Sequence, residues 1–147
     1  MAALLDASVL FALAWPHHIH HEVAHGWFAT RSAEGWATCS MTQNAFLRLS
    51  SNPGIHPEAC SPIEAISALR GFTNHPDHSF LADDLEPVAS PVFSNLQIVG
   101  YRQITDAHLL TLAVRHDGLF VTLDRRVGHL VPVRSGLAKY LVLLPEE

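Results

Sequence analysis

Three aspartates and a run of histidines are the residues of this chain best placed to do chemistry. Asp6 closes the apolar run Ala2-Ala3-Leu4-Leu5, and Asp124 closes Leu119-Phe120-Val121-Thr122-Leu123. A short buried strand that stops at a carboxylate therefore occurs twice. In open α/β sheets the carboxyl ends of the strands border the crevice where ligands and ions sit. Taken alone, Asp6 serves equally well as the cap of a following helix, Ser8 to Ala14. The recurrence at Asp124, with a third acid at Asp106, favours a site. Three carboxylates brought together repel and raise one another's pKa, and a divalent cation neutralises them. Oxygen-only ligands suit Mg²⁺, with Mn²⁺ as its nearest substitute. The chemistry this implies is phosphodiester hydrolysis, in which the cation lowers the pKa of a water and stabilises charge on the leaving oxygen.

The histidines offer a competing centre. His17-His18-Ile19-His20-His21 leads into Glu22-Val23-Ala24-His25, and His21 to His25 spells the HExxH pattern of zinc proteases. On a helical wheel Val23, Ala24, Trp27 and Phe28 form the apolar face, whereas His21, Glu22 and His25 fall on its edge or opposite it. A catalytic zinc site is enclosed and needs a third protein ligand, and Gly26-Trp27-Phe28 simply continues the amphipathic helix. The pattern reads as adventitious metal binding, not as a protease.

The elements that must position the acids follow from the same reading. Val9 to Trp15 is a short buried helix ended by Pro16. Glu34-Gly35 breaks the histidine-bearing helix, and Trp36-Ala37-Thr38-Cys39 is the second core strand. Ser40 and Thr42 are N-cap candidates for a helix from about Gln43 to Ser50, which starts at the strand's carboxyl end and so brings Gln43, Asn44 and Arg48 towards the crevice of Asp6. Ser61-Pro62-Ile63-Glu64 combines a capping box with proline at the first helical position, predicting a helix over Pro62 to Gly71. His78 to Leu81 is a candidate third strand, Asp83 and Asp84 a solvated loop, and Pro91 to Leu96 a short helix. Thr105 is the expected N-cap of a helix with Asp106 in its first turn, apolar nearly all round and therefore buried. Gly118 stops it, and Tyr140 to Leu144 is the last strand. Helices joined directly to following strands imply parallel crossovers, hence an α/β fold: a three-layer α/β/α sandwich around a mainly parallel sheet, in one domain over residues 1–147.

Composition bounds the rest. A chain of 147 residues with 48% hydrophobic side chains can bury one full core. No basic n-region, cleavage site or apolar run near the ~20 residues of a membrane span is present, so a cytoplasmic location without membrane contact is expected. Cys39 and Cys60 are too few for a metal knuckle or disulfide framework and are expected as free thiols. Net charge is −5, yet the segment from Arg102 to Pro145 holds 6 basic and 3 acidic residues, against 3 and 9 before it. A phosphate-bearing substrate fits this asymmetry.

Five segments carry a resemblance: LLDAS around Asp6, TQNAFLRLSSNP from Thr42 to Pro53, NHPDHSFLADD from Asn74 to Asp84, YRQITDAHLLTLA from Tyr101 to Ala113, and FVTLDRRV from Phe120 to Val127. Together they resemble the PIN-domain ribonucleases of the VapC toxin type, in the subgroup well populated in mycobacteria, along essentially the whole chain. The resemblance implies a Mg²⁺-dependent endoribonuclease acting on RNA, held inactive by a cognate antitoxin and commonly a homodimer. It implies that Asp6, Asp106 and Asp124 are the acidic positions, with Asp6 and Asp106 the closest metal ligands, and that Thr105 is the site's hydroxyl. One departure stands out: many PIN domains carry a glutamate in the helix after the second strand, where this chain has Gln43 and Asn44. An amide oxygen there can still orient a water. Two other classes compete. One is a catalytically silent PIN module that binds RNA or a protein, favoured by the missing glutamate. The other is a phosphoryl-acceptor domain, which in its haloacid-dehalogenase form requires Asp-x-Asp where this chain has Ser8.

Overall fold

The computed structural model describes residues 2–146; Met1 and Glu147, the ends of the expected domain, lie outside the described residues. Five short strands, β1 (Ala3–Leu5), β2 (Trp36–Thr38), β3 (His78–Phe80), β4 (Leu119–Thr122) and β5 (Leu141–Leu143), form one sheet in the order β3-β2-β1-β4-β5. All four pairings are parallel. The strand carrying Asp6 is thus central, with the strand preceding Asp124 beside it.

Alternation along the central strands divides the core into two layers, because successive side chains of a strand face opposite ways. Leu5 and Val121 pack on one face with Val9, Leu10 and Leu13 of α1 (Ala7–Ala14), Trp27 of α2 (His21–Arg31), Phe46 of α3 (Ser40–Ser50) and Leu69 of α4 (Pro62–Thr73). Leu4 and Phe120 pack on the other with Leu109, Leu110 and Leu112 of α6 (Ile104–Arg115) and with Val127 and Leu130. A fifth, short helix, α5 (Pro91–Asn95), lies against α6. Full burial of each large apolar side chain contributes about 1.5–3 kcal/mol, so two strands buried on both faces anchor the end of the sheet where the acids stand. This is the α/β sandwich expected, with a sheet parallel throughout.

Gly118 sets how closely β4 approaches β1. A Cβ at this position would lie 2.4 Å from the Ala2 carbonyl oxygen, which accepts the Leu119 N–H at 2.9 Å. Only glycine admits that approach.

Several expected boundaries are corrected. The helix after β2 starts at Ser40 and not Gln43, and its cap is Cys39; Thr42 sits three residues in, and its Oγ1 accepts the Cys39 N–H at 3.0 Å. The buried hydroxyl folds back on the strand end, which pulls the helix start forward by one turn. The Ser61 helix keeps its capping box but runs through Gly71 to Thr73. Thr105 is not an N-cap. A 3-10 turn over Tyr101–Gln103 runs straight into α6, the cap position is Gln103, and the Gln103 Oε1 accepts the N–H groups of Val99 (2.6 Å) and Gly100 (3.0 Å) instead. Asp83 and Asp84 are not merely solvated: they pair with His108 (2.6 Å) and Arg115 (3.1 Å) and tie the β3 exit to α6. Cys39 and Cys60 are free thiols.

Candidate active site

Two strand ends and one helix start build the acid cluster. The β1–β4 register places Ala3 opposite Leu119, Leu4 opposite Phe120 and Leu5 opposite Val121, and the Asp6 N–H continues the ladder to the Val121 carbonyl at 2.9 Å. One step further, the residue facing Asp6 is Thr122, not Asp124. The Thr122 Oγ1 donates to Asp6 Oδ2 at 2.6 Å, and the Ser8 Oγ donates to the same oxygen at 3.1 Å. Both hydroxyls are held in turn, since the Asp124 N–H donates to Thr122 Oγ1 (3.1 Å) and the Leu123 N–H to Ser8 Oγ (3.4 Å). The backbone carbonyl of Asp6 accepts the first α1 bonds, from Val9 and Leu10, but its side chain makes no cap hydrogen bond. The aspartate therefore caps the helix with its backbone and is free to use its carboxylate elsewhere.

Asp124, two residues beyond β4, turns away into a different partnership. Arg126 grips it with Nε on Oδ1 (3.0 Å) and Nη2 on Oδ2 (2.9 Å), and the Arg126 N–H adds a third bond to Oδ1 (3.0 Å). Asp106, in the first turn of α6, is partly buried and makes no side-chain hydrogen bond among the described residues. With Arg102, Asp124, Arg126 and His129 it lines a crevice of about 160 Å³.

Electrostatics separate the three acids. Burial lifts the Asp6 carboxyl above the usual carboxylate range, more than the hydrogen bonds from Thr122 and Ser8 lower it. Asp106 is pushed up to about 6, chiefly by burial and then by the charges of Asp6 and Asp124. Asp124 is held below its ordinary value by the hydrogen bond from Arg126. Asp6 and Asp106 thus stand where their ionised forms are disfavoured, the arrangement a cation relieves.

The remaining candidates take different places. Gln43 is half-buried and its Nε2 donates to Thr38 Oγ1 at 2.9 Å, which is also 2.8 Å from His78 Nε2. Asn44 is exposed and makes no side-chain hydrogen bond among the described residues. Thr105 is likewise exposed and unbonded; the hydroxyls at Asp6 belong to Ser8 and Thr122. Sequence reasoning passed over Thr122, although a lone threonine closing an apolar strand, two residues before Asp124, was its signal. In the HExxH segment His21 Nδ1 is bonded to the Ala12 carbonyl (2.7 Å), and Glu22 and His25 are exposed. Among the described residues no three His, Cys, Asp or Glu side chains converge on one point that could hold a metal. No helix of the described residues is long and apolar enough to cross a membrane.

Comparison with known proteins gives this geometry a context. No family model matches the chain. It is 46% identical over 132 residues to ribonuclease VapC38 of Mycobacterium tuberculosis, covering 90% of this chain and 92% of that protein. It is 39% identical to ribonuclease VapC39 (84% and 89% covered) and 38% identical to ribonuclease VapC44 (98% and 100% covered), both from M. tuberculosis. In fold it is similar to a chain of the crystal structure of VapBC2 from Rickettsia felis bound to a DNA fragment from their promoter, with a TM-score of 0.61, 12% identity and 97% of both chains covered. Near-complete overlap at such identity, on a parallel sheet whose central strands deliver acids to one end, has one reading: the chain belongs to the VapC family of ribonucleases.

Proposed function

We propose that the chain is the toxin of a toxin–antitoxin pair and cleaves RNA with Asp6 and Asp106 as the ligands of a divalent cation and Asp124 as a third acid in reserve. The observation that carries this reading is the pair of carboxyls, Asp6 and Asp106, whose ionised forms are both disfavoured by burial. A set of hard oxygen donors with few carboxylates fits Mg²⁺, and Mn²⁺ nearly as well. When bound, such a cation lowers the pKa of water and stabilises charge on the leaving oxygen of a phosphodiester. The chain's own residues do the rest. Thr122 and Ser8 fix the rotamer of Asp6 by sharing its Oδ2, and Arg102 and Arg126 supply positive charge around the crevice for a polyanionic strand.

Asp124 is the adjustable member. Its bond to Arg126 is exposed on the arginine side, and a phosphate arriving at Arg126 would compete for the guanidinium and release the carboxylate towards Asp106. Gln43 is better placed than Asn44 to stand for the family's glutamate, since it is tethered at the carboxyl end of β2; being neutral, it weakens the cation site compared with an acid. That neutrality favours the second reading, a silent module that binds RNA or protein without cutting it.

The test is cleavage of single-stranded RNA by purified protein with Mg²⁺, Mn²⁺ or EDTA. Cleavage that needs the cation and is lost in Asp6→Asn and Asp106→Asn supports the nuclease; RNA binding without cleavage in every metal supports the silent module. An antitoxin partner follows from the family and from the fold's likeness to a VapBC chain. Its docking would place a basic side chain against Asp6 and Asp106, and co-expression with the adjacent short reading frame should relieve toxicity and yield a complex. A single-domain homodimer in the cytoplasm completes the proposal, and light scattering of the purified chain measures the stoichiometry.

A further inference from the structure

A second feature adjoins the acid cluster and plays no part in it. A cavity of about 590 Å³ opens between α1, the loop into α2 and the loop after α3, and Ser8, Phe11, Trp15, His17, His18 and His56 line it. Half of its lining residues carry aromatic or imidazole rings. Trp15 lies 4.8 Å from His56 between ring centres, His17 stacks on His56 at 5.9 Å, and Phe11 meets His18 and His56 edge-on at 5.5 Å each. His56 is only 2% exposed, and its Nε2 is buried without a hydrogen-bond partner among the described residues. One polar atom is thus left unmet just behind the cavity's rings. His17 Nε2 lies 3.2 Å from Glu58 on the exposed rim.

Resting on the nuclease reading above, we propose that this cavity receives one unstacked base of the RNA strand, next to the phosphodiester addressed by the aspartates. Ser8 links the two places: it lines the cavity and its hydroxyl is bonded to Asp6. A base in the cavity is then one residue away from the carboxylate. Sequence-selective binding of single-stranded RNA works by splaying bases out and stacking them on aromatic rings. The wall suits a base and not the backbone, because phosphates seek cations and the described residues that line the cavity include no arginine or lysine, while Glu58 puts a carboxylate on its rim. It also suits a compact flat group better than a peptide helix, which needs an extended groove with anchors one turn apart. The seat selects substrate by which base it admits, independently of the cation.

The experiment measures binding of short single-stranded RNAs, with the base removed at each position in turn, to the whole chain in EDTA, alongside Mg²⁺-dependent cleavage of the intact RNA. Ile55→Trp plugs the cavity from its exposed side, and His17→Ala removes the rim ring stacked on His56 and leaves the other rings in place. In the wild type, removal of one base should weaken binding about tenfold, and removal of the others much less. In folded Ile55→Trp that position-specific loss should vanish while overall affinity drops to the level of the abasic RNA; His17→Ala should show a smaller loss at the same position. Should Ile55→Trp fail to fold, the His17→Ala result decides alone. Unchanged RNA binding and cleavage in both variants overturns the base seat and leaves the nuclease intact. Unchanged RNA binding with lost capture of the co-expressed antitoxin assigns the cavity to the protein partner and also overturns it. A base-specific loss abolished by the plug, in a protein that cuts no RNA in any metal, supports the seat and sinks the nuclease reading.

Discussion

The ends of β1 and β4 look alike in sequence and behave oppositely in the structure. Each apolar strand is followed by an aspartate, yet Asp6 comes directly after Leu5 whereas Asp124 comes two residues after Thr122. With the strands in register, the short offset keeps Asp6 buried at the carboxyl end of the central strand, where burial lifts its pKa and two hydroxyls hold one of its oxygens. The longer offset carries Asp124 out to Arg126, which lowers its pKa. Counted along the register, Asp124 stands two residues beyond Thr122, the residue that faces Asp6, and that step separates an acid that wants a cation from one that already has a cationic partner. Position relative to the ladder, more than residue type, decides which acid is a ligand.

The strongest way to break this contrast is to remove charge from the two acids with raised pKa. Asp6→Asn and Asp106→Asn should each reduce Mg²⁺-dependent RNA cleavage by more than the 10- to 100-fold that loss of an outer hydrogen-bonding partner typically costs a metal site. Neither should lower the melting temperature, because each removes a charge that the folded state disfavours. A lower melting temperature with intact cleavage in Asp6→Asn would make Asp6 a structural residue and end the comparison.

Thr122→Val sharpens it. The hydroxyl is buried and serves both strand ends, donating to Asp6 and accepting from the Asp124 N–H. Its loss should cost about 1–3 kcal/mol of stability, since a backbone N–H is left without a partner, and roughly 10- to 100-fold in metal affinity. Calorimetry of Mg²⁺ or Mn²⁺ binding checks the second figure. Equal metal affinity in the variant would show that Asp6 needs no help from across the sheet.

A smaller effect lies in the pH dependence of stability. Asp106 titrates at about 6 in the fold against 3.8 ordinarily, so the folded state holds the proton more tightly and loses stability as pH rises through that window. Asp106→Asn should melt higher than the wild type at pH 7. The advantage should shrink as pH falls from about 6 and disappear below 3.8. An advantage that is constant across pH would mean that neither burial nor its neighbours perturb Asp106.

The smallest change is expected from Arg126→Gln. Its guanidinium is exposed, and surface ion pairs of this kind add little to stability. The melting temperature should hardly move, but the Asp124 pKa should rise towards its ordinary value, as NMR titration of its carboxyl would report. A large fall in stability would show that the Asp124–Arg126 pair braces the end of β4 structurally.

How far the chain could be read in advance follows the reach of each interaction. Local signals predicted correctly what local forces control: the double-sided apolar runs at Leu4-Leu5 and Phe120-Val121, the Ser61 capping box, and the burial of α6 from its all-round apolar pattern. Asp6 and Asp124 stood out because a strand that halts at an acid is itself a local pattern, and Asp106 because it opens a helix apolar nearly all round. Thr105 is not the cap because the turn before α6 is held by Gln103, whose side-chain oxygen reaches back four residues to accept the Val99 N–H. Sequence by itself determined which residues carry the charge and which strands are buried, since side-chain chemistry and period-two burial are properties of short stretches. Tertiary structure alone decided that Thr122 and not Asp124 faces Asp6, that Gln43 is tethered while Asn44 points to solvent, and that Ser8 joins the acids to a ring-lined cavity. Those facts depend on the register between strands 116 residues apart, and register is set by the packing of the whole sheet, not by any segment of it.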